Sequence, residues 1–495
     1  MKSASSSRIC FPDRPGLIAV VGLGASLLLS TGCGSGSSTP NRKPSGNTNV
    51  TLMLTSTAND QLTQFALDLQ SLTLTSQSGK TVTLLSSEQP SEFMHLNAGL
   101  EPLTVISIPQ GVYTSASVAV PGARYICVSQ APGGGMLTAE YSVPTGAPVI
   151  NLPSPITVTS NPMGLLLNLQ VSNSATVPNC YSNPPFQGFT LTPTFQLTPI
   201  SLSASPTNSE NGKVTGLEAI VAALQTTAGS LTLSVAAGPF GTRMLMAKSN
   251  ASTVFQGINS FSALAPGMFV NVDGAIESDG SLLVSRMEVE NPSARNLSTG
   301  PILQVASAVP VLMIYGRTEL GSLLTAPTGQ GGIYLDTPNF DFSSAVFSIS
   351  GQLTNLEHLP FVPTFDAASM VAGQNVDITS PAFSSGGTHT PANTVTLVAQ
   401  TIDGIVQSSA TAGSFTIYTV SLASYDLFPQ LAVQPGQTTV LSDPNHVQVY
   451  VDNNTQQLNS HPLSSGSTVR FYGLVFNDNG TLKMDCAQIS DGVAE

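Results

Sequence analysis

"PGMFVNVDGAIESDGSLLVSRMEV", Pro266 to Val289, recurs far downstream in altered form as "SGSTVRFYGLVFNDNGTLKMDCAQI", Ser465 to Ile489. Gly267, Val270, Val272 and Gly274 stand at offsets 0, 3, 5 and 7, and Gly466, Val469, Phe471 and Gly473 repeat them. A third version, "AGQNVDITS", places Gly373, Val376 and Ile378 at the first three of these offsets and Ser380 at the last. Self-similarity of this kind marks an array of like units. The spacing has a physical reading. A glycine opens a strand after a turn, residues two apart share the inward face, and the later glycine permits a bend or bulge. "ESDG" and "NDNG" read as hairpin turns with Gly280 and Gly480 at positive φ. A further strand is expected after each copy: Ser281 to Val289, Thr394 to Ile402 and Thr481 to Ile489. The beginnings match too, "AGSLTLSV" at Ala228 against "AGSFTIYTV" at Ala412.

Five or six strands per copy suit small closed barrels, each with its own core. The expected units are residues 212–297, 298–402 and 403–495. The middle copy is the most divergent, and its start near Gly300 is the least marked. The copies resemble an uncharacterised repeat family of bacterial envelope proteins, which implies an OB-like barrel and no known chemistry. One stretch, "TGLEAIVAALQ", suits a short helix or a strand. Upstream, "SLSASPTNSENGK", Ser201 to Lys213, is polar with a proline and reads as a linker over 201–211. Residues 49–200 alternate apolar and polar residues in short runs bounded by Gly, Pro, Asn and Ser, the pattern of a β-sandwich. The whole chain therefore reads as all-β. Within the sandwich, Asn49 to Leu85 followed by "PQGVY", Pro109 to Tyr113, resembles an uncharacterised bacterial lipoprotein domain. That resemblance implies a prealbumin-like sandwich with a Pro-x-Gly-x-Tyr hairpin, and no activity.

The N-terminus speaks to location. Lys2, Arg8 and Arg14 precede an apolar run from Gly16 to Ser30, followed by "TGC". A spanning helix needs about 20 apolar residues, so the run reads as a cleaved signal, residues 1–32. The segment resembles the lipobox of bacterial lipoproteins, which implies lipidation of Cys33. Ser30 departs from that pattern, since Leu29 sits one place early. "GSGSSTPNRKPSGNTN" is then a flexible tether over 33–48. Gly34, where retained inner-membrane lipoproteins carry Asp, points to the outer membrane, facing periplasm or cell surface.

Charged residues are only 9% of the 495 and net charge is −13, against a typical quarter charged. Such a chain repels nucleic acid, so none is expected as a partner. Its expected partners are the membrane, through the lipid, and an envelope protein or polysaccharide. In an exported protein Cys127 and Cys180 are expected to pair, leaving Cys486 as a small buried residue on the last strand. His95, His358, His389, His446 and His461 show no metal spacing, although His446 and His461 share one copy. Asp273 with Asp279, and Asp478 with Asp485, are candidate Ca²⁺ ligands or, more simply, turn and surface residues. Tyr472 and Phe476 could stack a sugar or pack a core. No nucleophile elbow or P-loop occurs, and no cofactor is expected. The expectation is a non-catalytic envelope lipoprotein acting as scaffold or binding protein. The alternative is an extracellular carbohydrate-binding protein or hydrolase with an unrecognised site.

Overall fold

The computed structural model describes residues 46–57, 62–94, 96, 99–130, 136–143, 147–174, 191–202, 212–225, 228–238, 241–306, 309–316, 318–321, 338–351, 356–381, 389–423, 426–431, 441–458 and 461–491. Cys33, His95, Cys180, the Cys127 side chain and most of the expected linker lie outside these residues, and so does any Cys127–Cys180 bond. The fold is all-β, built from several sheets. Among the described residues no helix is long and apolar enough to cross a membrane.

The N-terminal region holds a five-stranded sheet and two four-stranded sheets around one apolar core. Asn47–Ser56 is an inner strand of the larger sheet, parallel to the central Met163–Leu169 and antiparallel to the edge strand Glu101–Pro109. Val50, Leu52 and Leu54 turn into that core. Met53, on the opposite face, packs into the core of the next unit with Leu166, Ile200 and Leu202. The expected hairpin at "PQGVY" is a corner instead. Glu101–Pro109 pairs in the larger sheet and Gly111–Ala119 pairs with Ser71–Ser76 in another. The Tyr113 hydroxyl donates to the Pro109 carbonyl at 2.7 Å, which ties the corner.

Three units of one topology follow. In the first barrel the strands are Lys213–Gln225, Ser230–Gly238, Gly241–Lys248, Phe269–Ile276 and Leu282–Val289. The first pairs with the second and fourth, the second with the third, and the fourth with the fifth, all antiparallel. The third meets the fifth in parallel and closes the ring, and Val254–Gln256 lies parallel on the outside of the fifth. The third barrel repeats every pairing with Gln400–Ala412, Phe415–Leu422, His446–Val451, Thr468–Asp478 and Thr481–Asp491, plus Gln456–Leu458 outside. The second barrel keeps the plan with two interrupted strands. Its first strand, Asn296–Ala306, pairs with Val311–Ile314 and then Thr318–Gly321, which together fill the second place. Its fifth place is shared by Thr390–Pro391, parallel to Asn339–Asp341, and Thr394–Leu397, antiparallel to Asn375–Ser380. The strand expected over Thr394 to Ile402 is thus two strands. Thr394–Leu397 ends the second barrel, and Gln400–Ala412 opens the third.

The repeated positions behave alike. Val270, Val272, Val376, Ile378, Val469 and Phe471 are all wholly buried inside their barrels. Gly267, Gly373 and Gly466 have φ of 91°, 97° and 89°, and the hairpin glycines Gly280 and Gly480 have 84° and 89°. Ladder register shifts at Asp273/Gly274 and at Tyr472/Gly473 mark bulges at the later glycine. A Cβ at Gly274 would collide with the Leu283 carbonyl, and one at Gly473 with the Asp485 carbonyl. Both obstacles are backbone and cannot swing aside. Gly473→Ala is therefore expected to destabilise the third barrel by about 1–3 kcal/mol, the usual cost of overpacking. Gly466→Ala, which meets nothing within 4 Å, should cost only the positive-φ strain of about 1 kcal/mol. Urea unfolding of the two variants checks the order, and equal losses would remove the close approach as the reason for the glycine.

The cores are not sealed from one another. Phe361 of the second barrel meets Tyr450 of the third at a tilt and Phe476 edge-on, at 5.0 and 5.8 Å between ring centres. Phe415, Tyr450, Leu474 and Phe476 of the third barrel belong to the second barrel's apolar cluster. Ile220 and Phe269 on the outside of the first barrel meet Leu297 and Leu320 of the second. The expectation of self-contained cores fails because the outer faces are themselves apolar enough to be covered.

Candidate functional site

Alternation puts residues 270 and 272 inside their barrel and 271 outside, and the same holds for 377 and 470. Yet Asn271, Asp377 and Arg470, at one repeat offset, are all buried. They face neighbouring barrels or a neighbouring strand rather than water. Hydrogen bonds join the barrels pairwise. Gln256 donates to the Gly351 carbonyl between first and second, at 2.9 Å. Gln374 donates to the Val475 carbonyl between second and third, also at 2.9 Å. Gln488 donates to the Thr215 hydroxyl between third and first, at 3.3 Å, and Lys213 donates to Gln456. Each barrel therefore touches the other two, and their polar outer faces converge.

Arg286, on the fifth strand of the first barrel, organises part of this convergence. Its Nε donates to Asp273 Oδ2 at 2.7 Å, and its Nη1 donates to Glu288 Oε2 at 2.8 Å and Gln256 Oε1 at 3.2 Å. Its Nη2 donates to Asn271. Burial works against the guanidinium charge, and Asp273 and Glu288, with a smaller contribution from Tyr472, outweigh it, so its pKa is raised. Glu288 also accepts from the Ser350 hydroxyl at 2.8 Å and the Gly351 amide at 3.1 Å, so the ion pair reaches into the second barrel. Lys213 is pushed down to about 8 by burial, opposed by Asp273. In the third barrel Arg470 Nε donates to the wholly buried Asp403 at 3.1 Å.

The other candidates fall apart as sites. Asp273 is tied to Arg286, while Asp279 takes Lys248 at 2.6 Å, whose hydrogen bond does most to hold its carboxyl near 2. Asp478 takes Lys483, and Asp485 is buried on the last strand. Among the described residues no three His, Cys, Asp or Glu side chains are placed to hold a metal ion. His446 Nδ1 meets Asp443 at 2.8 Å. His461 lines a shallow pocket of about 260 Å³ with Tyr418, Gln457, Pro462, Leu463 and Ile489, and His446 is not among its walls. His358 and His389 are exposed. Phe476 is buried in the joint apolar cluster, where no sugar can reach it, and Tyr472 packs beside it. Cys486 is buried, unbonded to another cysteine, with its thiol pushed well up by burial.

The buried polar seam was not anticipated from the sequence. The same outward offset carries Asn, Asp and Arg in the three copies, the residue types of a wet face, so alternation gave no sign that the face is covered. Residues 248–288 match the family described as Domain of unknown function (DUF5666), a stretch running from the end of the first barrel's third strand to nearly the end of its fifth. No curated protein matches the chain. The matched stretch contains Asn271, Asp273, Arg286 and Glu288, so the similarity takes in the ion-pair network of the first barrel and ends short of Glu290.

Proposed function

We propose that this chain is a non-catalytic cell-envelope lipoprotein that works as a scaffold or binding protein, a sandwich followed by three OB-like barrels held outside the cytoplasm by lipid on Cys33. The observation that carries the reading is the repetition of one strand plan in three barrels, joined to one another through buried polar and apolar contacts. Barrels with apolar side chains at their inward positions, joined in this way, make a stiff spacer. The sandwich adds to it, because Met53 enters the first barrel's core and Arg243 pairs with Glu101. Fold alone does not settle function. The lipobox-like "TGC" and the polar tether after it give the anchor.

Growth with a fatty-acid probe should label the mature protein. Cys33→Ala should abolish the label and release the chain to the soluble fraction, since stable anchoring depends on acyl chains. A Cys33→Ala protein that stays labelled and membrane-bound would overturn the anchoring half of the reading. Turnover of a polysaccharide by the purified chain would overturn the other half.

A further inference from the structure

Between the first and second barrels lie carboxyl groups that Arg286 does not hold. Glu218 stands on Lys213–Gln225, Glu290 one residue past Leu282–Val289, and Asp377 on Asn375–Ser380 of the second barrel. Asp377 is wholly buried, and its Oδ1 accepts from the Thr299 hydroxyl at 2.6 Å. The Thr396 hydroxyl approaches Glu290 Oε2 at 3.5 Å. Two buried oxygens, Asp377 Oδ2 and Glu290 Oε1, meet no N–H or hydroxyl donor among the described residues. Their neighbours are carboxyls: the Asp377 side chain lies within hydrogen-bonding reach of both Glu290 and Glu218. A carboxylate has no hydrogen to donate, so a hydrogen bond between two of them requires a proton on one partner.

The charges around the cluster leave protons as its neutralising agent. From the first barrel's fifth strand come Glu288, already bound to Arg286, Ser350 and Gly351, and Arg286 itself, already shared between Asp273 and Glu288. From its first strand comes Glu218. Among the described residues the second barrel contributes the hydroxyls of Thr299 and Thr396 and the acid Asp377. We infer that the first and second barrels are joined by protons shared among Glu218, Glu290 and Asp377, so that this seam is tight in mildly acidic medium and loosens as the pH rises to neutrality and beyond.

Burial raises Asp377 to about 7, and burial with the neighbouring acids raises Glu290 well above the ordinary carboxylate range. The sign follows. An unfolded carboxyl loses its proton near pH 4, whereas the native seam keeps its protons to higher pH. The native state then holds more protons than the unfolded state, so stability falls as pH rises from about 4 and keeps falling until the last shared proton leaves.

Hydrogen exchange of the full chain, corrected for the intrinsic pH dependence of the chemistry, reads the seam directly. Peptides covering 213–225, 282–290 and 375–380 should lose at least about tenfold in protection between pH 5 and pH 8, one pKa unit being a factor of ten. A peptide over 47–56 should not change. Asp377→Asn should remove most of that loss, and Glu290→Gln serves the same purpose if the first variant does not fold. A flat wild-type profile, or the same slope in the folded variant, would overturn the proposal. So would full protection at pH 8 restored by millimolar Ca²⁺, since the seam would then be a cation site and not a shared-proton joint.

Discussion

Phe471→Asp is expected to unfold the third barrel at room temperature. Phe471 is wholly buried, centred between the paired strands Gln400–Ala412 and Thr481–Asp491 through Ile402 and Ile489. Its ring lies 6.3 Å from that of Tyr418. Removing a buried Phe costs about 3–5 kcal/mol, and an unpaired carboxyl in its place costs several more. A domain of ordinary stability, about 5–15 kcal/mol, has little left after that. The second barrel should suffer as well, because Phe361 loses Tyr450 and Phe476 and Gln374 loses its acceptor at Val475. The sandwich should be spared, since its own apolar core contains no residue of the third barrel. Calorimetry of the full chain should therefore show one transition lost, one moved to lower temperature and the sandwich transition kept. An unchanged trace would place Phe471 in water. Loss of every transition would make the chain one cooperative body.

What could be read from the sequence divides along a physical line. Period-two alternation separates the inside of a barrel from its outside, which is why Val270, Val272, Val376, Ile378, Val469 and Phe471 could be picked out. The bulge at Gly274 and Gly473 was legible from the repeated glycine, while the partner carbonyl that leaves no room for a Cβ there was not. Alternation is silent on whether the outside meets water or another barrel. Ala219, Ile220 and Val221 are all buried, Ile220 against the second barrel and its neighbours within the first. Covering both faces erases the period, so "TGLEAIVAALQ" looked as much like helix as strand. The middle copy was obscured differently. Its second and fifth places are each filled by two short strands, and Pro301 sits within its first strand, where a missing amide usually argues against a strand. The polar seam was hidden because Asn271, Asp377 and Arg470 are the residue types expected on a wet face.

Arg286→Met is expected to cost about 3–5 kcal/mol, the usual penalty for breaking a buried ion pair from one side. Methionine fills much of the space but supplies none of the donors that now go to Asp273, Glu288, Asn271 and Gln256. Two carboxylates are left without their cation, close to the already crowded Glu218, Glu290 and Asp377. The damage should cross the seam, because Glu288 also orders Ser350 and Gly351 of the second barrel. Arg286→Lys should recover only part of the loss, since a single ammonium cannot reproduce the fork that grips several acceptors at once. The pH dependence separates lost charge from lost packing. Protonation of the raised carboxyls Asp377 and Glu290 removes their repulsion with the stranded pair, so the deficit of Arg286→Met relative to the native chain should shrink between pH 8 and pH 5. A deficit from packing alone would be the same at both. Urea unfolding of the native chain and both variants at these two pH values makes the comparison. Equal deficits would mean that Arg286 acts through packing, and a loss below about 1 kcal/mol, the range of exposed pairs, would make it a surface ion pair; either result would remove it as the charged pin between the two barrels.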